Sequence, residues 1–209
     1  MRKQIITLVA LGMISTAASV LGQGQLNYSI RVTGSIVGHV YGTALGETTQ
    51  KSGNTAAETP AGTQTYGGAV LTGTGFSAQL WAANGADQAE NLLTAVAGSI
   101  VGFRSGGTLG GTITPLTLDV AQVPVGGTGT FQLRVWDNAG GTITSWDSPL
   151  AVIKGKSALF NVASLTTNPN IPPNMSGFQS FNIYAVPEPS TFVLAGLGAA
   201  SLLIFRRRK

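Results

Sequence analysis

Few side chains of this sequence are suited to chemistry. The chain has a single histidine, His39, and no cysteine. A Ser-His-Asp arrangement would use the histidine as its base, and serines and aspartates are plentiful. The sequence contains no Gly-x-Ser-x-Gly elbow, however, and a lone histidine in a strand is more often structural than catalytic. We therefore expect no catalytic residue. A hydrolase built around His39 is less favoured than a structural surface protein or a carbohydrate-binding module.

Ligands for a metal ion are also sparse. Zinc would need clustered cysteines or histidines, which this composition does not supply. Calcium would need oxygen ligands at tight spacing, and the best available set is Asp137-Asn138 with Asp147. We expect neither a metal nor a cofactor.

Two Trp-Asp dipeptides offer the clearest binding chemistry. Trp136-Asp137 and Trp146-Asp147 lie on either side of a Gly140-Gly141 turn. If both rings were exposed on one face, they would form flat apolar platforms that stack on sugar rings. The competing interpretation, which we favour, is that one or both rings pack in the core or across strands. A carbohydrate-binding module that acts on matrix polysaccharide through Trp136 and Trp146 is therefore the alternative function.

Charge is distributed unevenly along the chain. The formal net charge is +4, but six of the 12 basic residues lie near the two ends. The span 23–186 holds six Lys or Arg against seven Asp or Glu, so it is close to neutral. A nucleic-acid-binding protein needs clustered cations to displace counterions from phosphates, so the sequence argues against that class.

The first 22 residues have the layout of a secretory signal peptide. Arg2 and Lys3 form a short positive region, residues 5–18 are mostly apolar, and small residues follow. We predict cleavage after Gly22, with cleavage after Ala18 or an uncleaved membrane anchor as the alternatives. The exported remainder has no cysteine, so it must fold without disulfides.

The last 24 residues combine a proline-flanked carboxylate, an apolar run and a basic end. Pro187, Glu188 and Pro189 precede the apolar residues 192–205. At 1.5 Å per residue this run would be a helix about 21 Å long, shorter than a hydrocarbon layer of about 30 Å. Starting the helix at Ser190, a good N-cap, gives a marginal transmembrane helix over residues 190–205. The cations that follow are Arg206, Arg207, Arg208 and Lys209.

The same charges predict an orientation in the membrane. Lys and Arg that flank an apolar segment stay in the cytoplasm. The cations at both ends therefore remain inside, and residues 23–185 pass outward with a tether on their C-terminal side. A marginal helix fits a temporary tether better than a permanent one, although a plain C-terminal membrane anchor is the alternative.

The triplet Pro187-Glu188-Pro189, the short apolar helix and the Arg-rich end together resemble the PEP-CTERM sorting signal of Gram-negative bacteria. The resemblance covers residues 186–209. It implies recognition of the triplet by exosortase, a multi-pass membrane enzyme, with the terminal cations as the stop. It also implies cleavage near the triplet, release or transfer to the cell surface, and association with exopolysaccharide and biofilm matrix.

Between the two terminal signals, apolar and polar residues alternate with a period of two. This period predicts half-buried strands of an antiparallel sheet. In residues 130–136, for example, Phe131, Leu133 and Val135 share one face. The strong candidates cover residues 26–33, 75–81, 130–136 and 179–183, and the weaker ones cover residues 35–41, 95–103, 112–120 and 150–153.

Turn signals separate these strand candidates. Residues 137–141, Asp-Asn-Ala-Gly-Gly, predict a hairpin tip, and residues 168–174 predict a proline-rich loop. Residues 42–68 are rich in Thr, Gly and Ala, which indicates a long loop or mobile insert. Only residues 86–97 look helical. About seven or eight strands with frequent turns predict an all-β fold, a single antiparallel β-sandwich of immunoglobulin-like or jelly-roll type over residues 23–185.

The strand candidates also resemble, loosely, the extracellular β domains that often precede this sorting signal. We therefore expect an exported, surface-sorted and non-catalytic protein that exosortase processes and that joins an extracellular or biofilm matrix. The expected route is export across the inner membrane, transient tethering, and then the outer surface or the extracellular space.

Overall fold

The computed structural model describes residues 22–45 and 47–186, and the regular structure in these ranges is mainly β-strand, as the sequence predicts. Only short 3₁₀ turns interrupt the strands there, at Glu90–Leu92, Gly107–Leu109 and Ala139–Gly141. The strands are β1 Gln23–Tyr28, β2 Arg31–Val32, β3 Ile36–Val37, β4 Val40–Tyr41, β5 Phe76–Asn84, β6 Thr94–Ala95, β7 Leu116–Pro124, β8 Gly129–Asp137, β9 Ile153–Lys156, β10 Phe160–Val162, β11 Phe181–Asn182 and β12 Tyr184–Ala185.

The central feature is the long antiparallel pair β5–β8. Nine residues pair without a break, from Phe76 opposite Asp137 to Asn84 opposite Gly129. Alternate side chains of β8 point into the core, as the sequence predicts for Phe131, Leu133 and Val135. The polar face of β8 is also buried, so the prediction of a half-buried strand is wrong for β8. Other segments pack over that face through hydrogen bonds to its polar side chains.

The sheet extends from this pair in both directions. Its strand order is β12-β9-β8-β5-β6, and β10 pairs with β8 beside β9. β9 pairs with the C-terminal half of β8, with Trp136 opposite Lys154, whereas β10 pairs with the N-terminal end, with Val162 opposite Gly129. β12 lies at the edge of the sheet, so the described chain ends on an edge strand.

A second antiparallel pair, β1–β7, packs over the first. Leu26 of β1 and Leu118 and Val120 of β7 belong to the same buried cluster as Phe131 and Leu133 of β8. The smaller pairs β2–β3 and β4–β11 complete the described sheets, and β4–β11 is parallel. The two long pairs therefore enclose a common core.

Several strand boundaries differ from the predicted ones. The candidate 26–33 divides into β1 and β2, because Ser29 turns back to hydrogen-bond Asn27 O and Arg31 O. The candidates 112–120 and 150–153 are displaced to β7 and β9, and residues 179–183 supply β11 only at 181–182. Residues 35–41 form the two short strands β3 and β4, and within residues 95–103 the pairing is limited to β6 and single bridges.

The prediction of a helix over residues 86–97 is wrong. This segment contains only one 3₁₀ turn and the strand β6. The backbone N–H groups of Asp87 and Gln88 donate to side chains of Asn161 and Thr130 instead of entering a helical ladder. Tertiary hydrogen bonds thus override the local alanine-rich composition.

The hairpin tip predicted at residues 137–141 is a turn but does not join two strands directly. β8 and β9 are connected by residues 138–152. The Asn138 side chain accepts a hydrogen bond from Gly141 N and donates to Thr74 O and Ser77 Oγ. These bonds hold the turn against the start of β5, so the chain continues into a longer loop.

The predicted loop over residues 42–68 contains no strand among its described residues, but it packs closely on the domain. Asn54 and Glu58 are buried, and Ser52 forms a bridge with Phe181. Across the described ranges, no helix has the length and apolar character that a membrane span requires. The predicted helix over residues 190–205 lies outside the described residues, as does the predicted signal peptide up to residue 21.

Candidate functional site

The residues that precede the predicted sorting triplet are fixed to the domain. β12 pairs with β9, so that Tyr184 lies opposite Lys154 and Ala185 opposite Ile153. One residue further, the Val186 N–H donates to Val152 O at 2.8 Å. Pro187, Glu188, Pro189 and the terminal cations lie outside the described residues. A single peptide bond therefore separates the last described hydrogen bond from the triplet.

The predicted tryptophan pair is divided by the fold. Trp136 is fully buried, and its indole N–H donates to Ile143 O at 2.9 Å. This ring has no free face for a sugar, so the prediction of sugar contact is corrected for Trp136. Trp146 is half-buried and lies in the loop between β8 and β9. Only Trp146 of the pair keeps a surface position.

A different tryptophan takes part in a surface cluster on the polar face of β5 and β8. Trp81 lies opposite Gln132 and Arg134 opposite Gln79, so Trp81 and Arg134 are diagonal neighbours on one face. The Arg134 Cζ lies 3.8 Å from the centroid of the Trp81 ring and 5.7 Å from that of Trp146. Lys154 approaches the Trp146 ring to 4.8 Å. Cations therefore interleave with the two rings.

Glu90 brings an acidic group to this cluster. Lys156 Nζ lies 2.5 Å and 2.7 Å from its two carboxylate oxygens, and Arg134 Nη2 lies 3.4 Å away. Burial raises the pKa of Glu90, but the hydrogen bond and charge of Lys156 outweigh it and hold this pKa below its usual range. The carboxylate is thus ionised at neutral pH and keeps both cations in place.

The cluster borders an open cleft of about 440 Å³. Its walls combine aromatic and guanidinium planes with carboxylate and amide groups, the combination of flat apolar surface and hydrogen-bonding groups that suits a sugar. The alternating pattern of both strands contained Trp81 and Arg134, but the sequence did not reveal the register that makes them neighbours. The lining residues are Trp81, Glu90, Asn91, Leu93, Arg134 and Asp147.

His39 belongs to a separate buried cluster around Glu58. His39 Nδ1 lies 2.8 Å from Glu58 Oε1, and the Tyr41 hydroxyl donates to the same oxygen at 3.0 Å. The Thr55 N–H donates to Glu58 Oε2 at 2.6 Å. Because an ionised carboxylate only accepts hydrogen bonds, Nδ1 of His39 carries the proton in this contact.

The ionisation of Glu58 follows from these donors. Burial raises the pKa of Glu58, but the hydrogen bonds from His39, from the Thr55 amide and from Tyr41 outweigh it and leave this pKa below its usual range. Burial and the nearby Glu58 charge raise the pKa of Tyr41 to about 12, so its hydroxyl stays protonated. Tyr66 stacks on Tyr41 with ring centroids 4.1 Å apart. The cluster therefore joins the loop 42–68 to β4.

The described serine nearest to His39 in this cluster does not complete a hydrolytic triad. Ser180 is fully buried, and its Oγ accepts a hydrogen bond from the backbone N–H of His39 at 2.8 Å. This hydroxyl positions the segment between β3 and β4 that carries His39, and it is closed to a substrate. The site supports a structural interpretation of His39.

Two of the residues considered as calcium ligands, Asp137 and Asn138, form hydrogen bonds within their own turn. Asp137 Oδ1 accepts from Ala139 N, and Asn138 closes the turn described above. Among residues 22–45 and 47–186, no cluster of three or more His, Cys, Asp or Glu side chains is arranged to hold a metal ion.

Comparison with known proteins gives one match. Residues 185–209 match the family model of the PEP-CTERM protein-sorting motif. No curated protein and no solved structure matches the chain. The match confirms the resemblance of the C-terminal segment, and this motif implies targeting to exosortase and to the cell surface.

Proposed function

We propose that this chain is an exported, non-catalytic surface protein that exosortase processes at its C-terminal segment and that forms part of an extracellular or biofilm matrix. The observation that carries the proposal is the PEP-CTERM match over residues 185–209. The route begins with export behind a signal peptide, cleaved after Gly22. It continues with a temporary tether by the helix over residues 190–205 and ends at the outer surface or outside the cell.

The cargo of this route is a single β-sandwich domain over residues 23–185, of immunoglobulin-like or jelly-roll type. The common core of the pairs β1–β7 and β5–β8 supports this proposal. β7 belongs to the first pair and β8 to the second, and only a short turn between Pro124 and Gly129 joins them. Such a connection between two packed layers is expected in a β-sandwich.

The non-catalytic part of the proposal is supported by the surroundings of His39. The Oγ of Ser180 accepts a hydrogen bond from the backbone N–H of His39, and this serine is fully buried. A catalytic serine needs an accessible hydroxyl beside its base. The cluster fits a role in stabilising the fold.

Glu188→Ala tests the sorting step. The variant removes the carboxylate that Pro187 and Pro189 flank, and we expect loss of C-terminal cleavage and of surface delivery. The mass of the mature protein reports cleavage, and protease accessibility on intact cells reports delivery. Asp119→Ala is the matched control, because Asp119 is an exposed carboxylate on β7. Normal processing and delivery of Glu188→Ala would contradict the proposal.

A second candidate function is the binding of matrix polysaccharide by the cleft beside Trp81. The observation that favours it is the grouping of Trp81, Arg134 and Trp146 with the carboxylates of Glu90 and Asp147. Trp81 and Trp146 are both half-buried, and Trp81 lines the cleft but carries the Arg134 guanidinium on one face. Trp146, beside the cleft, is therefore the ring on which we propose that a sugar stacks.

Trp146→Ala tests this second function. We expect a loss of affinity for purified matrix polysaccharide of roughly two- to twelvefold, since stacking on an aromatic ring contributes about 0.5–1.5 kcal/mol. Trp146→Phe should retain much of the binding, because it keeps a flat ring. Isothermal titration measures both variants, and Ile171→Ala, in a distant exposed loop, is the control. Equal affinity of all three variants would remove this function.

A further inference from the structure

Exposed apolar side chains lie on the segments next to the point where the chain leaves the domain. Leu150 is 69% exposed and Val152, whose carbonyl holds Val186, is 43% exposed. Leu45 is 108% exposed and shares a cleft with Ile153 and Ala185. We call these three exposed residues, Leu45, Leu150 and Val152, the junction patch.

The junction patch contains several of the few large apolar side chains that are exposed in the described residues. Eight large apolar side chains are exposed among the described residues, and three of them lie in this patch. Isolated exposed apolar residues need no explanation, but grouped ones mark a surface that something covers. The one carboxylate in the cleft of Leu45, Glu47, is paired with Lys51 at 2.5 Å. The patch therefore has little uncompensated negative charge.

Chain continuity limits how far the patch can lie from a membrane that holds the C-terminal segment. Val186 is hydrogen-bonded to the sheet edge, and the apolar run begins at residue 192. The five intervening residues, 187–191, span at most about 20 Å when fully extended, because each residue advances at most about 3.6 Å. A membrane that holds the apolar run therefore keeps this edge of the domain within reach of its surface.

We propose that the junction patch rests on the outer surface of the lipid bilayer while the sorting segment is still attached. This inference depends on the proposed sorting function and adds the orientation of the domain during it. The apolar side chains enter the boundary between headgroups and acyl chains. Tyr184, on the edge strand β12, is a residue type that favours that boundary.

The opposite end of β8 provides a matched control. Val125, in the turn before β8, is 42% exposed, almost the same as Val152. β8 pairs with β9 near Asp137 and with β10 at Gly129, so Val125 and Val152 lie beyond its two ends. Eight residue steps of a strand separate these ends by about 26 Å. If the junction patch lies on lipid, Val125 stays in water.

The absence of cysteine from the sequence makes a site-specific test simple. Val152→Cys, Leu150→Cys and Val125→Cys each receive one environment-sensitive fluorophore. The chain is exported in a host without exosortase, which keeps residues 187–209 attached. It is then reconstituted into vesicles of phosphatidylethanolamine and phosphatidylglycerol. We expect a blue shift and quenching by spin-labelled lipid at positions 150 and 152, and neither at position 125.

Flotation of the vesicles separates this inference from the function on which it rests. If the chain floats with the vesicles but positions 150 and 152 behave like position 125, the inference is wrong and the sorting proposal stands. If the chain does not float, the membrane tether fails, and the inference fails with it.

Discussion

The carboxylate of Glu58 is buried and held by hydrogen bonds from three residues. It is 4% exposed and accepts hydrogen bonds from His39, Tyr41 and Thr55. Its lowered pKa means that the folded state favours the ionised form. The resulting stability is fully present above the ordinary pKa of a glutamate, about 4.3, and is lost as the pH falls through the lowered pKa.

Glu58→Gln tests this residue-scale account. Near pH 7 we expect the free energy of unfolding to fall by about 1–3 kcal/mol, because hydrogen bonds to a charged acceptor are replaced by weaker ones. The gap to the unmodified protein should narrow as the pH falls through the lowered pKa of Glu58. Chemical denaturation at several pH values measures this, with Asp119→Asn as the exposed control. A gap that does not change with pH would contradict the ionised state.

The same scale shows what the sequence can reveal about a site. Alternation of apolar and polar residues placed Phe131, Leu133 and Val135 on the core face correctly. It did not distinguish the buried Trp136 from the half-buried Trp146, because the covering loop is defined only by tertiary contacts. Trp81 and Arg134 meet through a cross-strand register, and a single sequence does not encode register in a readable way.

Among the elements, β9 is the one that links the core sheet to the chain exit. It pairs with β8 on one side and β12 on the other. Its Gly155 lies so close to residues 182–183 that an added Cβ would be 2.3 Å from Asn182 O and 2.9 Å from Ile183 Cα. Backbone atoms cannot move away as a flexible side chain does, so this position requires glycine for space.

Gly155→Ala is therefore expected to lower the free energy of unfolding by about 1–3 kcal/mol, the usual cost of inserting an atom into a packed interior. Thermal and denaturant unfolding measure the effect. Gly75→Ala is the control, because a Cβ there meets nothing within 4 Å. A variant of Gly155 as stable as the Gly75 variant would show that β9 is not closely packed against residues 182–183.

At the scale of elements, the sequence predicted the presence of the long strands better than the residues at which strands begin and end. The strongest alternation, in residues 75–81 and 130–136, corresponds to the long strands β5 and β8. The short strands β4, β11 and β12 depend on pairing between distant segments, such as Phe181 with Val40, and local patterns contain no trace of that pairing. The helix expected at residues 86–97 failed for the same reason, since side chains of β8 and β10 capture its backbone donors.

For the fold and the sorting of the whole molecule, patterns of composition and charge were more informative than any motif inside residues 23–185. The mainly β structure of the described residues follows from period-two alternation, and the sorting segment was recognisable from residues 186–209 alone. The cleft beside Trp81 and the junction patch depend on how distant segments meet, so they became visible only in three dimensions. The activity of the domain is accordingly the part that sequence constrains least.

The two ends of the described chain lie beyond opposite ends of β8. Val186 is held by Val152 near the Asp137 end, whereas Gly22 O accepts a hydrogen bond from Val125 N near the Gly129 end. The domain thus separates these two chain ends along β8, a strand about 26 Å long. In the membrane orientation that we propose, a peptide or protein fused before Gln23 would be carried on the side of the domain that faces away from the cell, and the fold would serve as a scaffold for display.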